Sequence, residues 1–220
     1  MAIYLSGLGY LMIGSLPVAL LSAIASATTA NPLLWYVTRA AAISAYVTLS
    51  STVILGLGRS LSRTARLRTP WTLDEAHQFL AVLTAGFVAL HLLSLVLDPL
   101  LPFPLLNLVV PVDEPYRPLA VDLGVLGLYA VVVVLLSSWL RRRIAYARWR
   151  MLHYTSFVAF VLVTAHGIFA GSDTGETWMH FVYLGAAGAV VLLVLVRLLW
   201  SPQPTQDQRM SQHTSARSPV

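Results

Sequence analysis

The sequence predicts an all-α, polytopic membrane protein built as a six-helix transmembrane bundle. Hydrophobic residues make up 57% of its 220 residues and charged residues only 10%, against about 25% charged residues in a typical soluble domain. A membrane-spanning helix needs about 20 mainly apolar residues. Six stretches reach this length, at about residues 3–25, 33–57, 76–97, 119–140, 152–170 and 178–199.

The first span requires a choice between a retained helix and a cleaved signal peptide. The tripeptide at residues 25–27 (ASA) resembles a signal-peptidase site. However, no basic residue precedes the apolar run, and the run is longer than the usual hydrophobic region of about 7–15 residues. A retained first helix is therefore favoured, and cleavage would leave the orientation of the later spans unchanged.

The positions of the six spans divide the chain into a membrane domain and a polar tail. Residues 1–200 form a single membrane domain, in which spans and short loops leave no room for a soluble catalytic domain. Residues 201–220 are polar and rich in Pro, Ser and Gln, a composition that cannot bury a core. This tail is predicted to be a disordered cytoplasmic segment.

Charge predicts the orientation. All basic residues are arginine. They concentrate between spans two and three and between spans four and five, whereas acidic residues dominate the opposite loops at Asp98, Asp113, Glu114, Asp173 and Glu176. The positive-inside rule then makes both termini and both Arg-rich loops cytoplasmic, as in an integral protein of a bacterial-type cell membrane. The net charge of +5 thus reflects topology and not binding to nucleic acid.

Four histidines form two matched pairs. His77 and His91 lie 14 residues apart on span three, and His153 and His166 lie 13 residues apart on span five. At about 1.5 Å per residue, the two rings of each span are roughly 20 Å apart along the helix, so one imidazole lies near each membrane face. Axial histidine commonly holds heme iron, and the pattern predicts two stacked hemes. The absence of cysteine excludes thiolate ligands, disulfides and cysteine-bound iron–sulfur clusters.

Helix direction predicts which histidines pair. Spans three and five both run from the cytoplasm outward, so His77 and His153 would hold the iron of an inner heme, and His91 and His166 that of an outer heme. A spacing of 14 residues leaves two rings about 40° apart around a helix, whereas 13 residues leave about 140°. Span five must therefore bend, carry a π-bulge or present its two ligands from different flanks.

Other interpretations of the histidines stay open. Taken alone, each could be an interfacial or hydrogen-bonded ring, although the joint pattern of matched depths favours hemes. A di-metal site or a proton relay is the second interpretation. Metal transport sites usually also contain carboxylates, and no Asp or Glu lies in the middle of a span.

Three arginines are candidate partners for heme propionates. Arg39 lies within span two near its outer end and is the candidate for the outer heme, with snorkelling to the interface as the alternative. Arg148 and Arg150 precede His153 and are candidates for the inner heme; membrane anchoring explains them equally well. His180 opens span six, where an interfacial ring is the favoured interpretation.

The histidine spacing resembles the ferric reductase-like transmembrane domain, the heme-bearing domain of ferric reductases and NADPH oxidases. The order of 14 then 13 residues on the third and fifth of six spans carries the resemblance, which covers about residues 30–200. Weaker similarities lie at residues 35–39 (WYVTR), 111–118 (PVDEPYRP) and 166–173 (HGIFAGSD). The resemblance implies that the four histidines are the axial ligands of two b-type hemes.

The chain departs from that family in one respect. Ferric reductases and NADPH oxidases usually continue into a domain that binds FAD and NAD(P)H, and no Gly-rich nucleotide fingerprint occurs here. No flavin site is evident in this sequence, and the electrons would come from a separate flavoprotein, which would hold a flavin, or from a quinol. A related stand-alone protein is the heme-binding membrane subunit of the periplasmic methionine sulfoxide reductase system, which lacks the histidine that matches His77.

The predicted function is a transmembrane di-heme b-type cytochrome that serves as the electron-transfer subunit of an oxidoreductase. A flavoprotein or quinol on the cytoplasmic side would supply single electrons, and ferric iron or a partner protein at the outer face would accept them. The alternatives are a membrane subunit for a separate periplasmic oxidoreductase and a non-redox metal or proton transporter.

Overall fold

The computed structural model describes residues 32–64, 71–98, 104–111 and 117–200, and these residues form helices and connecting turns without any strand. The elements are α1 (Leu33–Thr64), α2 (Trp71–Leu97), a 3₁₀ turn (Leu105–Leu108), α3 (Pro118–Trp139), α4 (Tyr146–His153), α5 (Thr155–Ala170) and α6 (Thr177–Leu199).

Five segments of the described chain are long and apolar enough to cross a membrane. They are α1 up to Ser62, α2, α3, α4 together with α5, and α6. These segments confirm predicted spans two to six, with α4 and α5 together forming span five. Predicted span one and the predicted disordered tail lie outside the described residues.

Helix α1 is the centre of the described bundle. It packs along α2 on one side and contacts α5 and α6 on the other, while α5 packs against α3. Lipid tails are as apolar as the helices, so close packing and interhelical hydrogen bonds, and not the hydrophobic effect, hold such a bundle together. The main buried cluster joins α1, α5 and α6 and consists of Tyr46, Leu49, Val53, Leu57, Phe160, Met179, Tyr183 and Val190.

Small residues bring α3 and α5 together. Ala130 and Ala159 are buried at this contact, and a Cβ added at Gly127 would lie 3.0 Å from Val163. Such small side chains let two helix backbones approach closely in a membrane. The helix carrying His166 is therefore packed tightly on α3.

Polar contacts mark the two ends of the bundle. At the Arg-rich end, which contains Arg59 and Arg141–Arg143, Arg59 pairs with Asp74 and Arg197 donates to Ser60. At the acidic end, which contains Asp98, Asp173 and Glu176, Arg39 pairs with Asp173. These contacts tie α1 to α2, α6 and the loop before α6.

Predicted span five is interrupted directly after His153. Tyr154 separates α4 from α5, and its N–H is shared between the carbonyls of Arg150 and Met151, each 3.2 Å away. The Phe157 N–H donates to the Tyr154 carbonyl at 3.1 Å, and Thr155 Oγ1 donates to the Leu152 carbonyl at 2.7 Å. The two i to i+3 backbone bonds, accepted by the Met151 and Tyr154 carbonyls, tighten the chain at the junction.

The tightened turn reduces the angular mismatch that the 13-residue spacing creates. A 3₁₀ turn advances about 20° more per residue than an α-helix, so each tightened residue reduces the offset of about 140° between His153 and His166. The sequence left open a bend, a π-bulge or ligands on different flanks; the described residues of span five contain no π-bulge and have a local interruption at Tyr154 instead. No proline is needed for it.

Candidate functional site

The structure brings the two predicted inner histidines together. His77 comes from the first half of α2, and His153 is the last residue of α4. Their ring centroids are 6.3 Å apart and their planes are inclined by 59°. Both rings are half-buried, so two imidazoles from separate helices face one small region at the Arg-rich end.

The predicted outer histidines lie on the same two membrane spans as the inner pair. His91 is on α2 and His166 is on α5, and the two rings lie within electrostatic range of each other. Near His91, Thr38 Oγ1 donates to Ser94 Oγ at 2.8 Å, which joins α1 to α2. Thr38 and Ser94 are both buried.

Three of the four imidazoles donate Nδ1–H to a backbone carbonyl of a neighbouring helix. His77 bonds Thr52 at 3.0 Å, His91 bonds Thr38 at 3.0 Å, and His166 bonds Ala120 at 2.6 Å, the carbonyl oxygen being the acceptor each time. Because a carbonyl cannot donate, Nδ1 must carry the proton. The Nε2 lone pair of each ring is then available for a metal.

The Nδ1 atom of His153 makes a weaker contact, to a hydroxyl instead of a backbone carbonyl. Its Nδ1 lies 3.5 Å from the Ser138 hydroxyl of α3, at the limit of a hydrogen bond. Its ring also stacks on Trp149, with centroids 5.1 Å apart and planes inclined by 25°. Aromatic stacking therefore contributes to holding the orientation of this imidazole.

The antiparallel packing of α1 and α2 explains the 14-residue spacing. Thr38 and Thr52 are 14 residues apart, as are His77 and His91. The two histidines therefore meet acceptors in one continuous antiparallel register. A shift of α2 by one residue along α1 would remove both bonds at once.

Two glycines leave room for the imidazoles. A Cβ added at Gly124 of α3 would lie 2.7 Å from both Nδ1 and Cε1 of His166. A Cβ added at Gly56 of α1 would lie 3.1 Å from His77 Cε1. The contact at Gly124 is too short for any other side chain unless the ring moves.

The predicted propionate partners have different surroundings. Arg39 is engaged at the acidic end: its Nε donates to Asp173 Oδ2 at 3.0 Å, and its guanidinium lies 4.2 Å from the Trp35 ring centroid. Arg148 and Arg150 are exposed, and the Arg150 guanidinium is 6.0 Å from the Tyr154 ring centroid. Their roles at a heme stay predictions. His180 is exposed at the start of α6.

The Arg39 contact alters the chemistry of Asp173. Hydrogen bonds from Arg39 hold the pKa of this carboxyl below its usual range. The carboxylate is 15% exposed and the guanidinium 30% exposed, so water only partly screens the pair. The pair links α1 to the loop that follows His166.

Sequence reasoning missed Arg59 as a site residue. It was assigned only to membrane orientation, yet it lies within electrostatic range of both His77 and His153. The carbonyl partners on α1 and α3 were also missed, because any residue type can supply a carbonyl. The sequence indicates these carbonyl partners only through spacing: Thr38 and Thr52 are as far apart along the chain as His77 and His91.

The candidate metal ligands are arranged as pairs of histidines. In the described parts of the chain, no group of three or more His, Cys, Asp or Glu residues is placed to hold a metal ion. A macrocycle that brings its own equatorial nitrogens needs only two axial ligands, whereas a bare transition-metal ion usually needs more from the protein.

Comparison with known proteins identifies the family. The family model described as ferric reductase like transmembrane component matches residues 41–164, which is more than half of the chain. The match includes His77, His91 and His153 and ends just before His166. The chain therefore belongs to this family, and membership supports an integral membrane module for electron transfer. No significant match is found among curated proteins or among solved structures.

Replacing Gly124 with alanine should disturb the predicted outer site. The added Cβ overlaps the His166 ring, so the ring must move and lose its bond to Ala120. We expect heme content, measured as pyridine hemochrome per chain, to fall. Gly86→Ala on α2 is the matched control, because its Cβ meets nothing within 4 Å and both variants gain similar helix propensity. Equal heme content in the two variants would contradict the assigned contact.

Replacing Asp173 with asparagine should lower stability at neutral pH by about 0.5–1 kcal/mol, the range for a partly exposed ion pair. Because the pKa of Asp173 is lowered in the folded state, the pair stabilises the protein above the ordinary Asp range. That stabilisation is lost as the pH falls through the lowered pKa. Thermal unfolding in detergent across acidic pH should therefore show the wild type approaching Asp173→Asn. Glu176→Gln, an exposed acid in the same loop, should keep the wild-type pH dependence.

Proposed function

We propose that the chain is a transmembrane di-heme b-type cytochrome that passes single electrons between the two faces of a membrane. The observation that carries this proposal is the arrangement of the four histidines. They stand in two pairs near opposite ends of the bundle, and three of them have Nδ1 committed to a backbone carbonyl and Nε2 free. Family membership independently supports electron transfer.

The spacing of the inner pair fits an iron held between two imidazoles. A metal-bound imidazole nitrogen lies about 2 Å from the metal, so two axial rings have centroids about 6 Å apart. The centroids of His77 and His153 are 6.3 Å apart. The donor set also fits, because two neutral imidazoles are standard axial ligands for heme iron.

The carbonyl bonds give the histidines their role. A ligating imidazole that donates its other N–H has a fixed tautomer and ring orientation and is a more basic ligand. Thr38, Thr52 and Ala120 supply such acceptors to His91, His77 and His166. Heme bound by these rings would take up and release one electron at a time. With an imidazole on each side of the iron, the residues favour electron transfer over ligand activation.

Aromatic side chains pack against one another where α1, α5 and α6 meet. Tyr46 of α1 and Phe160 of α5 are both buried, and their rings stack with centroids 6.3 Å apart and planes inclined by 17°. Tyr183 contacts Tyr46 edge-on at 5.1 Å. Phe160 lies between His153 and His166 along the chain, so the stacked rings lie between the two histidine levels of span five.

The proposed direction of transfer follows from charge. The positive-inside rule supports a cytoplasmic Arg-rich end. A cytoplasmic flavoprotein or quinol would then meet the His77/His153 pair, and ferric iron or a partner protein would meet the His91/His166 pair. The chain would thus be one subunit of an oxidoreductase.

His77 bears on the choice among related functions. It faces His153 and donates to Thr52, as an axial ligand should. This favours the four-histidine arrangement over that of the methionine sulfoxide reductase membrane subunit, which lacks the matching histidine. The same rings could serve a metal or proton pathway, and heme analysis separates the two functions.

Alanine replacements of single histidines should remove one heme at a time. We expect His166→Ala or His91→Ala to lower heme content from about two to about one per chain, because the remaining ring leaves its iron with one axial ligand. Pyridine hemochrome and reduced-minus-oxidised spectra measure the content. His180→Ala, which alters an exposed ring, should retain the wild-type content. Unchanged heme in all variants would contradict the ligand assignment.

Arg39→Ala tests the predicted contact with an outer heme propionate. If Arg39 neutralises a propionate, its loss should lower the outer heme's midpoint potential, because an uncompensated negative charge favours the oxidised iron. Asp173→Asn is the matched control, since it breaks the same ion pair but leaves the guanidinium in place. A redox titration should show a larger shift for Arg39→Ala. Equal shifts would assign Arg39 to the ion pair alone.

A further inference from the structure

A half-open pocket lies at the Arg-rich end, beside the inner histidine pair. Its volume is about 430 Å³, and it is lined by Arg59, Arg141, Arg142, Ile144, Tyr146 and Trp149. Pockets for small ligands start at about 300 Å³, so this one can take a group larger than a single ion. None of its lining residues is acidic.

The donors in this pocket suit an anion. Arg59 is paired with Asp74, whereas Arg141 and Arg142 line the pocket from the exposed turn after α3. Trp149 adds an indole N–H: its Nε1 is shielded from solvent and has no hydrogen-bond partner within the described residues. A buried indole N–H without an acceptor is costly. An anionic oxygen would supply the missing acceptor and be neutralised by the guanidinium groups.

We propose that this pocket binds a phosphate group. Guanidinium groups bind phosphate through paired, charge-assisted hydrogen bonds, and basic pockets between helices at the cytoplasmic side of a membrane protein bind lipid head groups. The phosphate could come from an anionic lipid of the adjoining leaflet or from a soluble phosphate compound. Both sources present the same chemistry to Arg141, Arg142 and Trp149.

Trp149 connects this pocket to the inner histidine pair. Its ring lines the pocket and also stacks on His153. A bound phosphate would place negative charge one ring away from an axial ligand, which should lower the potential of an iron held there. This consequence rests on the proposed function, whereas phosphate binding does not.

The test uses the heme-loaded, detergent-purified protein and two probes, short-chain phosphatidylglycerol and inorganic phosphate. Phosphatidylcholine of the same chain length is the zwitterionic comparison, because its trimethylammonium group cancels the phosphate charge. We expect phosphatidylglycerol or phosphate to bind in preference to phosphatidylcholine. Losing two charge-assisted contacts in Arg141→Gln/Arg142→Gln should weaken that binding by about tenfold or more. Arg143→Gln is the control, because this arginine lies in the same turn but does not line the pocket. Trp149→Phe retains an aromatic ring for His153 but removes the N–H, and should also weaken binding.

The possible results distinguish a lipid source of phosphate from a soluble source, and both from a failure of the proposal. Tight phosphatidylglycerol binding with weak phosphate competition assigns a lipid, and equally tight phosphate binding assigns a soluble compound. Binding of neither probe would overturn the proposal. Equal losses in Arg143→Gln and the double variant would overturn it too, since they indicate general surface charge. Heme content, read from the same samples, reports on the proposed function separately.

Discussion

The fold depends on hydrogen bonds made by the site histidines, because an imidazole N–H buried in an apolar medium must have an acceptor. In three of the four site histidines, this acceptor is a backbone carbonyl of the adjacent helix. His77 and His91 bond Thr52 and Thr38 of α1, and His166 bonds Ala120 of α3. These bonds fix the register of α2 on α1 and of α5 on α3. They also leave the lone pair of Nε2 available. The same hydrogen bond that pairs the buried Nδ1–H therefore lets Nε2 act as a metal ligand.

Much of the fold was predictable because the membrane constrains length and composition strongly. Predicted spans two to six coincide with α1 to α6 to within a few residues at most ends. The differences lie at the Arg-rich end, where α1 continues to Thr64 and α2 begins at Trp71; amphipathic and charged turns there extend the helices past the apolar core. The interruption at Tyr154 could be anticipated only as a phase mismatch. Its cause is a set of local hydrogen bonds, with Thr155 bonding Leu152, which no apolar pattern encodes.

The site was predictable in its ligands but not in its surroundings. Histidine is rare enough in a span that its spacing carries information, and the structure indeed brings His77 and His153 together. Arg59 could not be distinguished from the arginines that orient the protein, because charge counting ignores which side chain turns inward. Trp149 stacks on His153, a contact that its place in an Arg-rich segment does not indicate. Gly124 carries no sequence signal, since its role is the space that His166 occupies.

The bundle therefore presents two imidazole pairs, one near each end, and a cationic pocket borders the pair at the Arg-rich end. The proposed function requires each pair to hold one heme iron. The most direct measurement is a dithionite-reduced minus oxidised optical spectrum of the purified wild-type protein, with heme quantified as pyridine hemochrome. The account predicts about two six-coordinate, low-spin b-type hemes per chain. Protein that carries no heme after expression with ample heme supply would contradict it, and the four histidines would then belong to a metal or proton pathway.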